Sequence, residues 1–324
     1  MAIETHRAQS LGATPHVAGE PSEPPPDDYG AHGRSEWLDI DWSQHLRSRV
    51  VRGARVNYVE MGEGSPLVFI HGLSGCWQNW LENIPFFARS HRVIAMDLPG
   101  FGRSDLPDEE ISIPGYGRFV DSFLEDIGVD RAALVGNSMG GFIAAETAIE
   151  VPHRVERLVL VSAAGGLPIR TREKLGLGAF RASAPFTSAF MARREAVMRR
   201  PRLRAAMLLT VVRYPSRISP ELVWEVTSGA GKPGFVSALG ALASYDFRDR
   251  LPSIEDPTLI VWGRNDQIVP VQGAVVFERL IPGAQKVIFE KTGHVPMLER
   301  PSRFNKLVEE FLAEPASLDR VESV

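Results

Sequence analysis

The sequence predicts an α/β fold: a mostly parallel sheet with helices on both faces and a helical segment inserted late in the chain. Three observations predict it. Short, wholly apolar runs alternate with longer helix-forming stretches, the pattern of parallel strands buried on both faces. One run is joined to one stretch by a Gly-x-Ser-x-Gly turn, Gly136-Asn-Ser-Met-Gly140. After Gly166 the alternation stops, and no strand-like run recurs before about Tyr245.

Each element follows in order. Residues 1 to about 36 are rich in Pro, Gly, Glu and Asp, including Pro24-Pro-Pro-Asp-Asp28. Such a segment buries too little apolar surface to offset its ordering entropy, so a disordered tail is expected. The first part of the core spans 37–165. Alternation around Val50-Val51 and Val56–Tyr58 predicts an opening hairpin that turns at Gly53. Leu67–Ile70 reads as a strand, and Trp77 to Arg89 as a helix broken by Pro85. Val93–Met96 is a strand that runs into the loop Asp97–Asp105, and a helix follows through Phe119 to Ile127. Ala132–Val135 is a strand ended by Gly136, Met139–Glu150 a helix, and Leu158–Val161 a strand. Residues 166–245 are expected to form a helical cap, because an insertion beyond the carboxyl ends of parallel strands roofs the crevice where such sheets bind ligands. The core resumes over 246–314 with a strand at Pro257–Trp262, a helix near Val271 to Leu280, a strand at Lys286–Phe289 and a closing helix at Pro301–Leu312. A C-terminal tail, 315–324, completes the chain.

Composition bounds the function. With 324 residues and 35.7 kDa, the chain can bury one large core. An apolar fraction of 44% and a charged fraction of 23% suit a soluble globular protein. A net charge of -4 gives no basis for nucleic-acid binding. The single cysteine, Cys76, excludes an internal disulfide and a cysteine-rich metal site, and it reads as a small packed residue. The chain has no apolar run of spanning length, and no apolar segment follows Met1, so a cytoplasmic location is expected. Phosphate-loop, dinucleotide-loop and His-Glu-x-x-His motifs are missing from the sequence.

The turn at Ser138 is where chemistry is expected. A sharp strand-to-helix turn holds a hydroxyl clear of the sheet, and glycine two residues before and after avoids a clash there. A serine hydroxyl needs a base, and histidine is the side chain that titrates near neutrality. Of the eight histidines, His6, His16 and His32 lie in the tail, His45 precedes the opening hairpin, and His91 and His153 lie at the amino ends of strands. His71 ends a strand but begins the loop His71-Gly-Leu-Ser-Gly75. His294, in Lys291-Thr-Gly-His-Val-Pro296 just past the last strand, is at the correct edge. The acid that fixes its tautomer is Asp266, in Trp262-Gly-Arg-Asn-Asp266, since Ser162–Gly166 contains no carboxylate. The oxyanion hole is expected from the amides of Met139 and Leu73. This chemistry requires no cofactor and no metal.

These motifs, in this order and spacing, resemble the α/β-hydrolase superfamily from about residue 50 to 314. Within it, Gly136–Gly141 and Trp262–Asp266 are similar to meta-cleavage-product C–C hydrolases and related capped esterases. The resemblance implies the α/β-hydrolase fold with an inserted helical cap, and a serine hydrolase of carboxylesterase or lipase type. It also makes Asp97 and Arg103, in the loop after the second buried strand, structural. Departures matter. Epoxide hydrolases and haloalkane dehalogenases use an aspartate nucleophile, whereas this chain has Ser138, and Ser74 replaces the proline of the epoxide hydrolases' His-Gly-x-Pro. C–C hydrolases follow the histidine with tryptophan, where Val295 stands, and place a substrate-binding arginine in a cap helix, where Val226 stands. Hydrolysis of carboxylic esters with apolar acyl groups is therefore expected. C–C bond hydrolysis is the alternative, and a non-catalytic binding member of the fold is a remoter one. The expected partner is a small-molecule substrate in an apolar pocket walled by Trp77, Phe142, Phe180, Phe186, Phe190 and Val295. Between Arg170 and Arg217 stand twelve basic residues and two acidic ones, Glu173 and Glu195. They form either a solvated arginine face or a peripheral contact with anionic lipid.

Overall fold

The computed structural model describes residues 28–30, 33–168 and 194–314. Leu46–Val51 (β1) and Ala54–Met61 (β2) pair antiparallel, with Val51 opposite Ala54. The tip residues Arg52 and Gly53 both have positive φ, 48° and 82°. Two such residues match the twist of the flanking strands, so the hairpin closes tightly. Six further strands follow: Ser65–Ile70 (β3), His91–Met96 (β4), Ala132–Asn137 (β5), Val155–Val161 (β6), Thr258–Gly263 (β7) and Gln285–Phe289 (β8). The sheet order is β1-β2-β4-β3-β5-β6-β7-β8. β2 runs antiparallel to β4, and every neighbouring pair beyond it is parallel. The carboxyl ends of β3 to β8 thus share one edge.

Side chains of each central strand alternate between two cores. Val68 and Ile70 of β3 pack with the helices Ile113–Asp126 (α2) and Met139–Glu150 (α3). Leu67 and Phe69 point to the opposite face, beneath Ile84–Phe87 (α1) and the closing helix Pro301–Ala313. This two-sided burial is why the strands read as unbroken apolar runs.

Local side-chain bonds change two expected helices. Trp77 to Arg89 is not one helix: a 3₁₀ turn at Trp77–Trp80 is followed by α1. Asn79 Oδ1 accepts from Cys76 N at 2.9 Å and Asp97 Oδ1 from Trp77 N at 2.8 Å, which holds the first turn tight. Pro85 then sits in the first turn of α1, where its missing N–H costs nothing. It starts a helix rather than breaking one. α2 begins six residues before the expected Phe119, because Ser112 caps it by accepting from Gly115 N at 3.1 Å.

The expected boundary of the N-terminal tail is also corrected. Asp28, Tyr29 and Gly30 lie against the core, with Tyr29 4% exposed. Residues 33–36 lead directly into a 3₁₀ turn at Glu36–Asp39.

Between β6 and β7 the described chain contains helices and no strand. They include Pro201–Leu208 (α4), Pro220–Val226 (α5) and Phe235–Ser244 (α6). This insert touches the carboxyl edge of the sheet at three loops. A Cβ on Gly229 would lie 2.4 Å from Gly75 O, Gly234 N donates to Gly100 O at 3.0 Å, and His294 N donates to Val211 O at 2.7 Å. After β7 come the helices Gln272–Leu280 (α7), Pro296–Glu299 (α8) and Pro301–Ala313 (α9). Among the described residues, no helix is long and apolar enough to cross a membrane.

A buried ion pair fastens α3 to the chain returning from the insert. The Glu146 carboxylate, 0% exposed, accepts from Arg250 Nη2 at 2.7 and 2.8 Å and from Tyr245 Oη at 2.7 Å. Glu146→Ala leaves Arg250 without this partner. Arg250 is 38% exposed and also pairs with Glu150, so water relieves part of the penalty. We expect a loss of about 2 kcal/mol, below the roughly 3–5 kcal/mol of a fully buried pair. Urea unfolding should read it as a lower midpoint with unchanged slope. An unchanged midpoint would contradict this role.

Candidate active site

The site starts at the end of β5, where the backbone of Ser138 takes φ 56° and ψ -114°. Two close approaches permit the turn. A Cβ on Gly136 would lie 2.2 Å from Gly140 O, and one on Gly140 would lie 2.1 Å from Ile70 O. Only glycine fits between the ends of β5, β3 and α3. Ser138 is 9% exposed and stands at the N-cap position of α3 without a side-chain capping bond, so the first amides of the helix face its side of the edge. Ser138 Oγ has no hydrogen-bond partner among the described residues.

Asp266 follows β7 and His294 follows β8. Asp266 Oδ1 accepts from the amides of Ile268 and Val269 at 2.8 and 2.9 Å. Asp266 Oδ2 lies 2.8 Å from His294 Nδ1, and the carboxylate is fully buried. A carboxylate that already accepts two amide bonds acts as acceptor toward the ring as well. The pairing therefore assigns the proton to Nδ1 and leaves Nε2 with a free lone pair. Such a nitrogen can take a proton, and bonds of this kind tighten when substrate is present.

His294 is three strands from Ser138 in sheet order, and its loop crosses back toward the turn. Asn137 Nδ2 donates to His294 O at 3.3 Å and to Val161 O at 3.1 Å. Gly263 makes the crossing possible, since a Cβ there would lie 1.9 Å from Gly293 O. The other side of the turn is the loop after β3. His71, fully buried, lies 2.7 Å from Gly72 O through Nδ1 and accepts from Leu98 N at 3.0 Å through Nε2. Nδ1 is therefore the donor. Burial lowers the pKa of this ring, and it stays neutral as a brace for the loop. The amides of Leu73 and Met139 donate to no described residue.

Asp97 braces the same region. Its carboxylate accepts from Trp77 N at 2.8 Å, Asn57 Nδ2 at 2.8 Å and Arg103 N at 2.9 Å. Both Asp97 and Arg103 thus hold the loop, Arg103 through its backbone. Cys76 is 1% exposed beside Ser228 Oγ, and burial pushes its thiol up to about 12. A thiol so shielded is packed rather than nucleophilic.

Two of the expected pocket walls are buried against aromatic neighbours. The Phe142 ring is 0% exposed and packs 4.4 Å from Phe247 and 5.7 Å from Tyr245, centroid to centroid. One turn after Ser138 on α3, its ring packs on the chain returning from the insert. Trp77, 5% exposed, packs against Trp42 at 5.0 Å in the opposite core. Val295 stays beside His294 and is 7% exposed. Phe180, Phe186 and Phe190 lie outside the described residues. Two residues escaped the sequence reading. Asn137 stands inside the serine motif without a signal of its own. Glu299 is a fully buried carboxylate that accepts from Gly293 N at 2.8 Å and Val295 N at 3.3 Å, on either side of His294. The spacing His294 to Glu299, across a Pro-initiated turn, is the signal that could have found it.

The family model of the alpha/beta hydrolase fold matches residues 65–301. A 2-hydroxymuconate semialdehyde hydrolase of Pseudomonas sp. strain CF600 is 34% identical over 285 residues, covering 83% of this chain and 94% of that protein. A membrane phospholipase A described as a bacterial virulence factor has a similar structure, with a TM-score of 0.66, 30% identity, and coverage of 82% of this chain and 85% of that one. A meta-cleavage product hydrolase from Pseudomonas fluorescens IP01 matches with a TM-score of 0.64 and 29% identity, over 82% of this chain and 97% of that one. The matched span runs from β3 past His294 to the first residue of α9, taking in the serine turn and the buried Asp266–His294 pair, and by it this chain belongs to the α/β-hydrolase family.

Proposed function

We propose that this hydrolase cleaves carboxylic esters of apolar acyl groups through an acyl-enzyme on Ser138. One observation carries the reading: the sharp turn at Ser138, the buried Asp266–His294 pair and two unpaired amides converge on one edge of the sheet. Ser138 Oγ attacks the carbonyl carbon while His294 Nε2 takes its proton. Asp266 holds the ring in the required tautomer and stabilises the imidazolium. The oxyanion accepts from Leu73 and Met139 amides, each donor worth roughly 100- to 1,000-fold in rate. His294 then protonates the leaving alkoxide, and a water activated by the same nitrogen releases the acid. Residues 166–245 act as the cap over this edge, with the core on either side.

The ester reading rests on two apolar positions. Val226 ends α5, where the resemblance to C–C hydrolases implies an arginine, and Val295 stands where those enzymes carry tryptophan. Arg194, distant from both positions along the chain, reaches Thr227 Oγ1, next to Val226, at 3.2 Å and lies over the Trp224 ring at 3.8 Å. The C–C reading is favoured instead by the relatives whose names describe semialdehyde and meta-cleavage product hydrolases. One substrate panel separates the two. We expect turnover of p-nitrophenyl esters with short to medium acyl chains, and weak or absent cleavage of a meta-cleavage dienoate. Dienoate kcat/KM well above that for every ester would overturn the ester reading.

The same insert presents a surface suited to lipid. Arg202, Leu203, Ala206 and Leu209 are all exposed, at spacings of three and four residues that put them on one side of α4 and its last turn, and Arg199 is exposed just before the helix. Leu203 is 44% and Leu209 57% exposed. From Arg194 to Arg217 there are seven arginines and one acidic residue, Glu195. Exposed leucines among arginines complement an anionic bilayer, where the leucines are buried and the guanidinium groups meet headgroups. Flotation with anionic and with neutral vesicles tests this. Binding to anionic vesicles alone is expected, weakening as salt rises. Equal, negligible binding to both would remove the lipid partner.

A further inference from the structure

The loop that carries His294 is held from below by a carboxylate, and that carboxylate is in turn held by the N-terminal segment. Glu299 Oε1 accepts from Gly293 N and Val295 N, while Oε2 accepts from Gly293 N at 2.9 Å, Arg213 N at 2.8 Å and Tyr29 Oη at 2.6 Å. In this arrangement Glu299 accepts throughout: burial pushes its carboxyl above the usual range, and the bonds donated by Arg213, Tyr29, Gly293 and Val295 act against that shift. Tyr29 Oη also accepts from Tyr214 N at 2.8 Å, and its ring lies edge-on to Tyr214 at 5.1 Å. One phenol thus joins three parts of the chain: the N-terminal segment, the insert and the histidine loop.

The segment has its own anchors. Gly30 N donates to Glu299 O at 2.6 Å. Asp28 pairs with Arg300, whose Nε donates to Thr292 Oγ1 at 2.8 Å on the far side of the histidine loop. Asp28, Tyr29 and Gly30 therefore grip the two residues, Glu299 and Arg300, that bond the backbone or side chains of Thr292, Gly293 and Val295. His294 has one backbone tie of its own in the insert, its N–H to Val211 O.

We infer that Asp28-Tyr29-Gly30 is a working strap of the site, and that Tyr29 is a positioning residue that fixes His294 through Glu299. Without the phenol, Glu299 Oε2 loses a donor and Tyr214 N loses its acceptor. The carboxylate then shifts toward its remaining partners, and the Gly293 and Val295 amides shift with it. A reacting nitrogen displaced by a fraction of an ångström is costly, since a misplacement of about 1 Å is worth roughly 100-fold in rate. The strap changes how the base is aimed without touching substrate. This rests on His294 being the base.

Tyr29→Phe in the full chain is the test, with Tyr245→Phe as control. Both remove a phenol that donates to a buried carboxylate, but Tyr245 serves Glu146 and has no bond to the histidine loop in the contacts above. For Tyr29→Phe we expect kcat on a p-nitrophenyl ester to fall about ten-fold with KM within two-fold. The downfield proton resonance of His294 Nδ1–H should also move or broaden. Tyr245→Phe should lower thermal stability to a similar degree and leave kcat and the resonance unchanged. A Tyr29→Phe protein that loses stability like the control, yet keeps kcat and the resonance, overturns the strap. If the wild type hydrolyses no ester, the ester reading fails, and the resonance alone decides the strap. If Tyr29→Phe does not fold, Asp28→Asn loosens the Arg300 anchor and keeps the phenol. The same two readouts should then change in the same direction by less, and no change overturns the inference.

Discussion

At Ser138 the chain turns through a φ of 56° between a fully buried strand and a helix buried from Met139 to Ala148. A non-glycine residue in so sparsely populated a region costs roughly 1–3 kcal/mol and persists only where its surroundings over-determine it. They do so here. Ser138 N donates to Val161 O at 2.9 Å, and Ser138 O accepts from Phe142 N at 3.1 Å and Ala164 N at 2.9 Å. The strained residue thus spends both backbone groups on β6 and α3. Glycines at 136 and 140 let the surrounding backbones close to contact, and the Phe142 ring, packed on Phe247, ties α3 to the chain returning from the insert.

Everything else at the site is a return to that point. Neighbouring strands lie about 4.8 Å apart, so His294, beyond β8, starts roughly 14 Å from the end of β5. Its loop is drawn back by Asn137 and crosses β7 where Gly263 leaves room. Asp266 then needs only the tight turn after β7 to meet the ring, and its second oxygen is held by two amides of its own loop. The insert supplies a further tie through Val211, and the N-terminal strap one through Tyr29 and Glu299. A histidine placed by four separate segments is positioned more narrowly than any one loop could manage.

Legibility in the sequence followed the range of the interaction. Strands β3 to β8 were visible because two-sided burial leaves an apolar run with no partner information needed. Ser138, Asp266 and His294 were visible because each sits in a short turn at a strand end, and Asp266–His294 is the pair the structure joins. The serine-to-histidine link is not made in this structure, so it was legible as chemistry and not as a contact. Helix bounds failed where a side chain decided them: Ser112 extended α2, and Asn79 with Asp97 tightened the turn at Trp77. Tyr29 was hidden for a different reason. Its partner Glu299 is 270 positions away, and the surrounding Pro- and Asp-rich composition carries no trace of that bond.

The central claim is that Ser138 is a nucleophile activated by His294. Its most direct test is labelling with a fluorophosphonate, with the adduct located by mass spectrometry of the digested protein. The account predicts one adduct, on the peptide that contains Ser138, absent in Ser138→Ala and formed far more slowly in His294→Ala. An unlabelled wild-type protein, or an adduct that survives in Ser138→Ala, would contradict it.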